Sequence, residues 1–410
     1  MSLPSYEEPR MAIDTLLERI NDYANRPDPY PLYAELREAG VARQTDGSYL
    51  IGTYHDIMAL LHDPRISADR RNLAAPYRGL PQEEEQISFI VLDDPAHHRL
   101  RNLAMRPFGP PHSPGRLDAM RGEIAQIAEE LIEAFDGRAR IDIVEDFAYP
   151  LPVSVICRLL GVPREDEPVF REWSATIIDS ADIKPGEDPT ERQRVGGRAR
   201  VEMGRYLVDL AEQRRGHPRD DMLSAFVNEP DPAGLLTREE LAATAVLLLI
   251  AGHETTVNLI TNGVLTLLRH PDQLDRLRRE PELLPNAVEE LLRYEPPVHM
   301  RQRTPLANID IAGTTVPKGV PLVLMLASGN RDPNRFRDPE RFDPTRPDNQ
   351  HLGFGSGIHL CYGGPLARIE AQIALTALIP RLGTTTLVQD PPPYRRSAML
   401  RGPRHLPIEL

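Results

Sequence analysis

Two stretches of this chain carry side chains whose types and spacing could do chemistry. In the first, Phe354-Gly355-Ser356-Gly357-Ile358-His359-Leu360-Cys361-Tyr362-Gly363, a cysteine sits among glycines just ahead of a helical-looking segment. Glycine permits positive φ and close approach of backbone to a ligand. A cysteine at a helix N-terminus is stabilised as thiolate by the positive end of the dipole and by free N–H groups. Three uses of such a thiolate stand open. A zinc site needs further Cys or His at ligand spacing, and none is present. A nucleophile wants a base, for which His359, two residues away in a glycine loop, is poorly placed. An axial ligand to haem iron needs no other protein ligand on its side. The second stretch, Ala251-Gly252-His253-Glu254-Thr255-Thr256, sets a carboxylate and two hydroxyls inside an apolar run. Buried polar groups are costly unless paired. These either back-bond to helix carbonyls in a kinked core helix or serve a proton relay.

The elements that must position these groups are legible in outline. Thr237 and Glu240 have capping-box spacing, and the helical pattern then holds to His270 and stops at Pro271. At 1.5 Å per residue the helix is roughly 50 Å long. Its middle is apolar on every side, so it belongs in a core. Beyond Cys361, residues 365–382 read as an amphipathic helix, and 123–135, 199–215 and 284–294 share its period. Strand signals are short, at 47–52, 307–317 and 320–326. Residues 71–86 and 181–191 read as irregular lids or binding loops. The class is mainly α with small β-sheets. Without repeat or linker, residues 1–410 read as a single domain.

Composition excludes some functions. Forty-eight basic against 61 acidic side chains give a net charge of −13, which argues against a nucleic-acid binder. The longest apolar run, 241–252, is too short to span a bilayer, and no secretory h-region is visible at the N-terminus. Two distant cysteines make no disulfide framework, and Cys157 in an apolar helical run reads as packing. A soluble, cytoplasmic protein with no membrane association is expected.

Residues 354–363 match Phe-Gly-x-Gly-x-His-x-Cys-x-Gly at every defining position and so resemble the haem-binding signature of the cytochrome P-450 family. The resemblance reaches over nearly the whole chain. It implies the cytochrome P-450 fold, with haem b (iron protoporphyrin IX) between the long central helix and the Cys-ligand loop. It makes Cys361 the metal ligand, with Phe354 and Gly252 against the cofactor and Gly252 opening a groove in the helix. His97, Arg101, Arg303 and His359 match its propionate contacts. Glu254 and Thr255 resemble its acid–alcohol pair for oxygen activation, with Thr256 in support. Glu290 and Arg293 resemble its Glu-x-x-Arg, and Arg341 its third member, a buried structural network. Substrate is expected near Ile90, Leu248, Ala251, Val298, Met300 and Met399. Tyr362, where related bacterial members carry leucine, is expected on the partner-facing side.

The implied function is a bacterial haem-thiolate monooxygenase that inserts one atom of O2, by hydroxylation or epoxidation, into an apolar small molecule of secondary metabolism. No flavin or iron–sulfur signature is present in this sequence, so electrons come from a ferredoxin and an NAD(P)H-dependent ferredoxin reductase. Arg99 and Arg106 are candidate docking residues, and the protein is expected to be a monomer. A peroxide-driven hydroxylase on the same fold, and a non-catalytic haem protein that binds a small molecule, are the alternatives.

Overall fold

The Thr237 hydroxyl accepts the Glu240 N–H at 3.2 Å, and the Glu240 carboxylate accepts the Thr237 N–H at 2.9 Å. This capping box satisfies two orphan donors and opens a helix that runs from Arg238 to Arg269. By length and composition that helix could cross a membrane. In the computed structural model it is instead a core helix, buried along most of its length. The structure describes residues 13–78, 87–109, 113, 115–181, 188–229 and 234–410. The loops expected at 71–86 and 181–191 fall partly outside these.

In chain order the main elements begin with α1 (Tyr30–Ala39), β1 (Val41–Arg43), β2 (Tyr49–Ile51), α2 (Tyr54–His62) and β3 (Ile66–Ser67). Next come α3 (Ala96–Met105), α4 (Arg121–Glu133), β4 (Arg140–Asp142), α5 (Pro150–Leu160), α6 (Glu167–Ala181) and α7 (Pro189–Glu212). The long helix is α8 (Arg238–Arg269), followed by α9 (Leu284–Tyr294), β5 (Arg301–Pro305), β6 (Ile309–Ile311), β7 (Thr314–Val316) and β8 (Leu322–Leu324). Then follow α10 (Gly364–Leu378), β9 (Thr386–Leu387) and β10 (Pro407–Glu409). The single strand expected at 307–317 is the β6–β7 hairpin, with Ile311 opposite Thr314 across an Ala312–Gly313 turn. Both turn residues have positive φ, the geometry of a two-residue hairpin loop.

The chain forms two compact units, whose described residues fall within 1–80, 286–361 and 396–402 for the first and within 81–285, 362–395 and 403–410 for the second. The first is built on a five-stranded sheet in the order β1-β2-β8-β5-β3. Only β2 and β8 pair in parallel; the other neighbours are antiparallel. Two apolar clusters pack on it. One includes Ile51, Ile57, Leu322, Leu324 and Phe336, the other Tyr33, Leu36, Leu50, Met300 and Met325. In the second unit, α8 packs against α5, α7 and α10, and three short strands pair in the order β4-β10-β9.

A buried charge network fixes the first unit. Glu290 and Arg293 of α9 are fully buried and paired in fork geometry at 2.7 and 2.8 Å. The third member is Arg346, whose Nε lies 3.1 and 3.2 Å from the two Glu290 oxygens. This corrects the assignment of Arg341. Arg341 offers only its backbone carbonyl, which accepts from Arg293 and Arg346 at 3.0 Å each, while its side chain is exposed. Both arginines lie in one polar segment, and sequence pattern does not say which one turns inward.

Candidate active site

The cysteine loop belongs to the first unit. Gly355 and Gly357 have φ of +68° and +69°, a region that disfavours side chains. A Cβ on Gly357 would stand 2.1 Å from the Leu61 carbonyl oxygen, so this position admits only glycine. Backbone bonds close the loop: Gly355 N–H to Leu352 O at 2.8 Å, Leu360 N–H to Gly357 O at 3.0 Å, and Cys361 N–H to Phe354 O at 2.9 Å. These donors serve the turn rather than the sulfur. Cys361 itself is exposed, whereas Cys157 is buried in α5 with its thiol pushed up to about 12 by desolvation. Beside Cys361, Ile358 and Leu360 are 52% and 49% exposed. Among the described residues no group of three or more His, Cys, Asp or Glu is placed to hold a metal ion. An accessible thiol flanked by uncovered apolar side chains fits a flat apolar macrocycle with one metal to be ligated from below.

The other expected contacts of this unit divide by strand alternation. His359 ends the helical turn Gly357–His359 and is half-buried. Arg303 on β5 donates to the Gln302 carbonyl at 2.9 Å. Val298 is buried and bridges to Leu400. Met300 packs into the apolar core with Tyr33 and Met325, so the core, rather than an open face, takes this expected pocket residue. Arg301 emerges on the Arg303 face instead, with Nη1 4.0 Å from the sulfur of Met399, which is 40% exposed. Arg301 carries no motif of its own in the sequence; its two-residue spacing from Arg303 is the signal that places it on this face.

In the second unit, three residues of α8 line up as a partly open stripe. Leu247, Ala251 and Thr255, at four-residue spacing, are partly or fully exposed. Leu248 is buried, and the partly exposed Leu247 packs against the apolar cluster of Phe89 and Leu100. A Cβ on Gly252 would lie 3.4 Å from Ile156. Gly252 therefore faces α5 rather than an open groove. The Thr255 hydroxyl donates to the Ala251 carbonyl at 2.8 Å and that of Thr256 to Gly252 at 3.1 Å. Glu254 is buried away from the stripe, with Arg395 Nε 2.7 Å and Asn258 Nδ2 3.1 Å from Oε1. On α3, His97 is buried, its Nδ1 3.3 Å from Asp94. Burial lowers its pKa, with Arg101's charge acting in the same direction and Asp94 opposing. His98 is exposed. Ile90 is 37% exposed.

His253 is fully buried, edge-on to Tyr149 at 4.4 Å between ring centroids, and neither ring nitrogen has a hydrogen-bond partner. Burial, aided by the charges of Arg395 and Arg171, brings its pKa from 6.5 to about 3. The unfolded chain therefore binds a proton that the folded chain refuses between these values. Stability is full above pH 6.5 and falls as the pH drops toward 3, by up to about 1.4 kcal/mol per pH unit for one such group. His299, also buried, shifts the same way. His253→Phe is expected to remove one such share of the acid slope in urea unfolding followed from neutral to moderately acidic pH. An unchanged slope would show that His253 does not carry it.

A family model for cytochrome P450 matches residues 40–409. This chain belongs to the cytochrome P450 family. Cytochrome P450 monooxygenase PikC of Streptomyces venezuelae is 43% identical to it over 396 residues, covering 93% of this chain and 91% of that protein. The 6-deoxyerythronolide B hydroxylase of Saccharopolyspora erythraea is 39% identical over 400 residues, covering 93% and 96%. The solved structure of the Bacillus subtilis P450 PksS covers 95% of this chain and 99% of its own, at 34% identity and a TM-score of 0.85. This P450 is accordingly a haem-thiolate monooxygenase, an oxidoreductase of the bacterial secondary-metabolism kind that uses O2, redox partners and a small-molecule substrate.

Two further features of this P450 depart from the sequence reading. Tyr362 is not turned outward. It packs on Phe108 and Phe89 at 4.3 and 6.1 Å between centroids, and its hydroxyl donates to the Ala104 carbonyl on α3 at 2.5 Å. The apolar cluster around Phe89 and Leu100 gives the ring more buried contact than water could. Arg99 and Arg106, expected to await an acidic partner, are paired with Glu240 and Glu229.

Proposed function

We propose that Cys361 is the axial thiolate ligand of haem b, and that Thr255 and Glu254 supply protons while one oxygen atom is inserted into an apolar substrate. The accessible Cys361 thiol in its glycine turn carries this reading. Bound haem supplies the activation of O2, with the thiolate pushing electron density toward O–O cleavage. His97, Arg101, Arg303 and His359 are the cationic or hydrogen-bonding groups suited to the haem propionates. Phe354 would pack on the macrocycle.

Thr255 stands in the partly open stripe of α8, and a hydroxyl that donates to Ala251 keeps two acceptor lone pairs for a water or a reacting group. Glu254 pairs with Arg395, so passing a proton to the stripe requires the carboxylate to leave that guanidinium. Relatives named for 6-deoxyerythronolide B and for vitamin D(3) support a bulky apolar substrate. Ile90, Ala251, Leu247 and Met399 are the pocket residues whose exposure suits that role. We assign the electron supply to a ferredoxin and its NAD(P)H-dependent reductase. The two units act as a single catalytic domain in a monomeric, cytoplasmic protein.

With such a reductase system the enzyme is expected to consume NAD(P)H and place one atom of isotopically labelled O2 in the product. Thr255→Ala should lower product formed per NAD(P)H by about tenfold or more, the scale of a lost acid–base group, while NAD(P)H oxidation continues. Indifference to Thr255→Ala, with equal turnover on hydrogen peroxide, would favour the peroxide-driven alternative.

A further inference from the structure

Arg301, on β5, is half-buried. Within the first unit, residues 297–301 run beside 399–401, joined by the Val298–Leu400 bridge and by His299 N–H to Met399 O and Arg401 N–H to Pro297 O, both at 2.9 Å. This pairing sets the Arg301 side chain against Met399, and its hydrogen-bond contact is the Met399 sulfur at 4.0 Å, a weak acceptor. Among the described residues no carboxylate lies within ion-pair distance of it. Burial lowers its pKa, and the charge of Cys361 opposes this. Strand alternation sets this side chain on the face of β5 that carries Arg303. Met399 beside it is apolar and 40% exposed.

A partly desolvated guanidinium is costly unless an anion meets it. Its planar fork suits a carboxylate, which it can bind through two parallel hydrogen bonds. We propose that Arg301 binds a carboxylate of the substrate, so that this enzyme's substrate is an apolar molecule bearing an acid group. The assignment rests on the haem-thiolate reading above. A haem propionate offers the same chemistry, and Arg303 on the same strand face is already assigned to one.

The test uses purified haem-loaded enzyme. Lauric, lithocholic and abietic acids, each with its own methyl ester, are titrated against the spin-state change of the haem Soret band. At least one acid is expected to bind about tenfold or more tightly than its ester, the worth of a charge-assisted hydrogen bond. Arg301→Leu should erase that preference without changing haem content, and Arg301→Lys should keep part of it. The wild-type comparison stands whether or not the variants fold. The assignment is overturned if every acid binds no better than its ester, or if Arg301→Leu keeps the preference. Loss of haem from Arg301→Leu with the preference intact would hand the residue to a propionate. Reduced samples treated with carbon monoxide separate the two readings. If the thiolate band is present and the acid preference absent, this assignment falls alone; if the band is absent, both fall.

Discussion

Cys361→Ala is expected to give a folded protein whose reduced, carbon monoxide-treated form lacks the red-shifted Soret band of thiolate-ligated haem and has no monooxygenase activity. The fold should survive for local reasons. The loop is held by backbone bonds, among them Cys361 N–H to Phe354 O at 2.9 Å, and alanine keeps that N–H. The side chain is exposed, so its removal leaves no cavity of the kind that destabilises a core. What is lost is the thiolate, which favours O–O cleavage by donating electron density. Cys157→Ala is the control. Its thiol is buried in α5 and held protonated by desolvation, so that variant should keep the band and lose about 1 kcal/mol of stability from packing. Retention of the band in Cys361→Ala would refute the ligand assignment, and equal loss in both variants would place the damage in folding.

Some of this site was legible because its information is local. Thr237 and Glu240 announce a capping box three residues apart, and the structure makes both of its hydrogen bonds. The Cys361 loop is equally local: Gly357 is required by a carbonyl 2.1 Å from where its Cβ would be, and the motif records that need as glycine. The bland expectation for Thr255 and Thr256, back-bonding to helix carbonyls, is what their hydroxyls do. The misplaced residues are those decided by a distant neighbour. Gly252 faces Ile156, almost 100 positions away in sequence, and Tyr362 finds its acceptor at Ala104. Neither partner can be read from periodicity. Met300 and Arg301 exchange roles because adjacent strand residues point to opposite faces. One step in register moves an apolar side chain into the core and leaves a cation outside.

Arg346→Leu is expected to destabilise the protein severely, and Arg341→Leu hardly at all. Glu290 is fully buried and lies within 3.2 Å of two guanidinium groups, those of Arg293 and Arg346. The Asp343 N–H also donates to it at 2.9 Å. Arg346 in turn donates to the carbonyls of Arg337, Asp338 and Arg341 at 2.6, 3.2 and 3.0 Å. Arg293 reaches those of Asn330 and Pro339 at 3.0 and 2.8 Å. The network thus ties the irregular segment 330–346 to α9, and does so with charges already out of water. Removing Arg346 leaves a buried carboxylate short of one partner and takes the side-chain donor from the Arg337 carbonyl. Breaking such a buried pair costs about 3–5 kcal/mol, a large part of the 5–15 kcal/mol that typically holds a domain folded. Arg341 gives the network only a backbone carbonyl, which leucine also has, and its side chain is exposed. Its replacement should stay within about 0.5 kcal/mol of wild type. Urea unfolding of both variants, with haem content of the purified proteins as a second readout, decides the matter. Equal destabilisation by the two substitutions would mean that Arg341 contributes its charge after all, and that Arg346 is not the third member of the network.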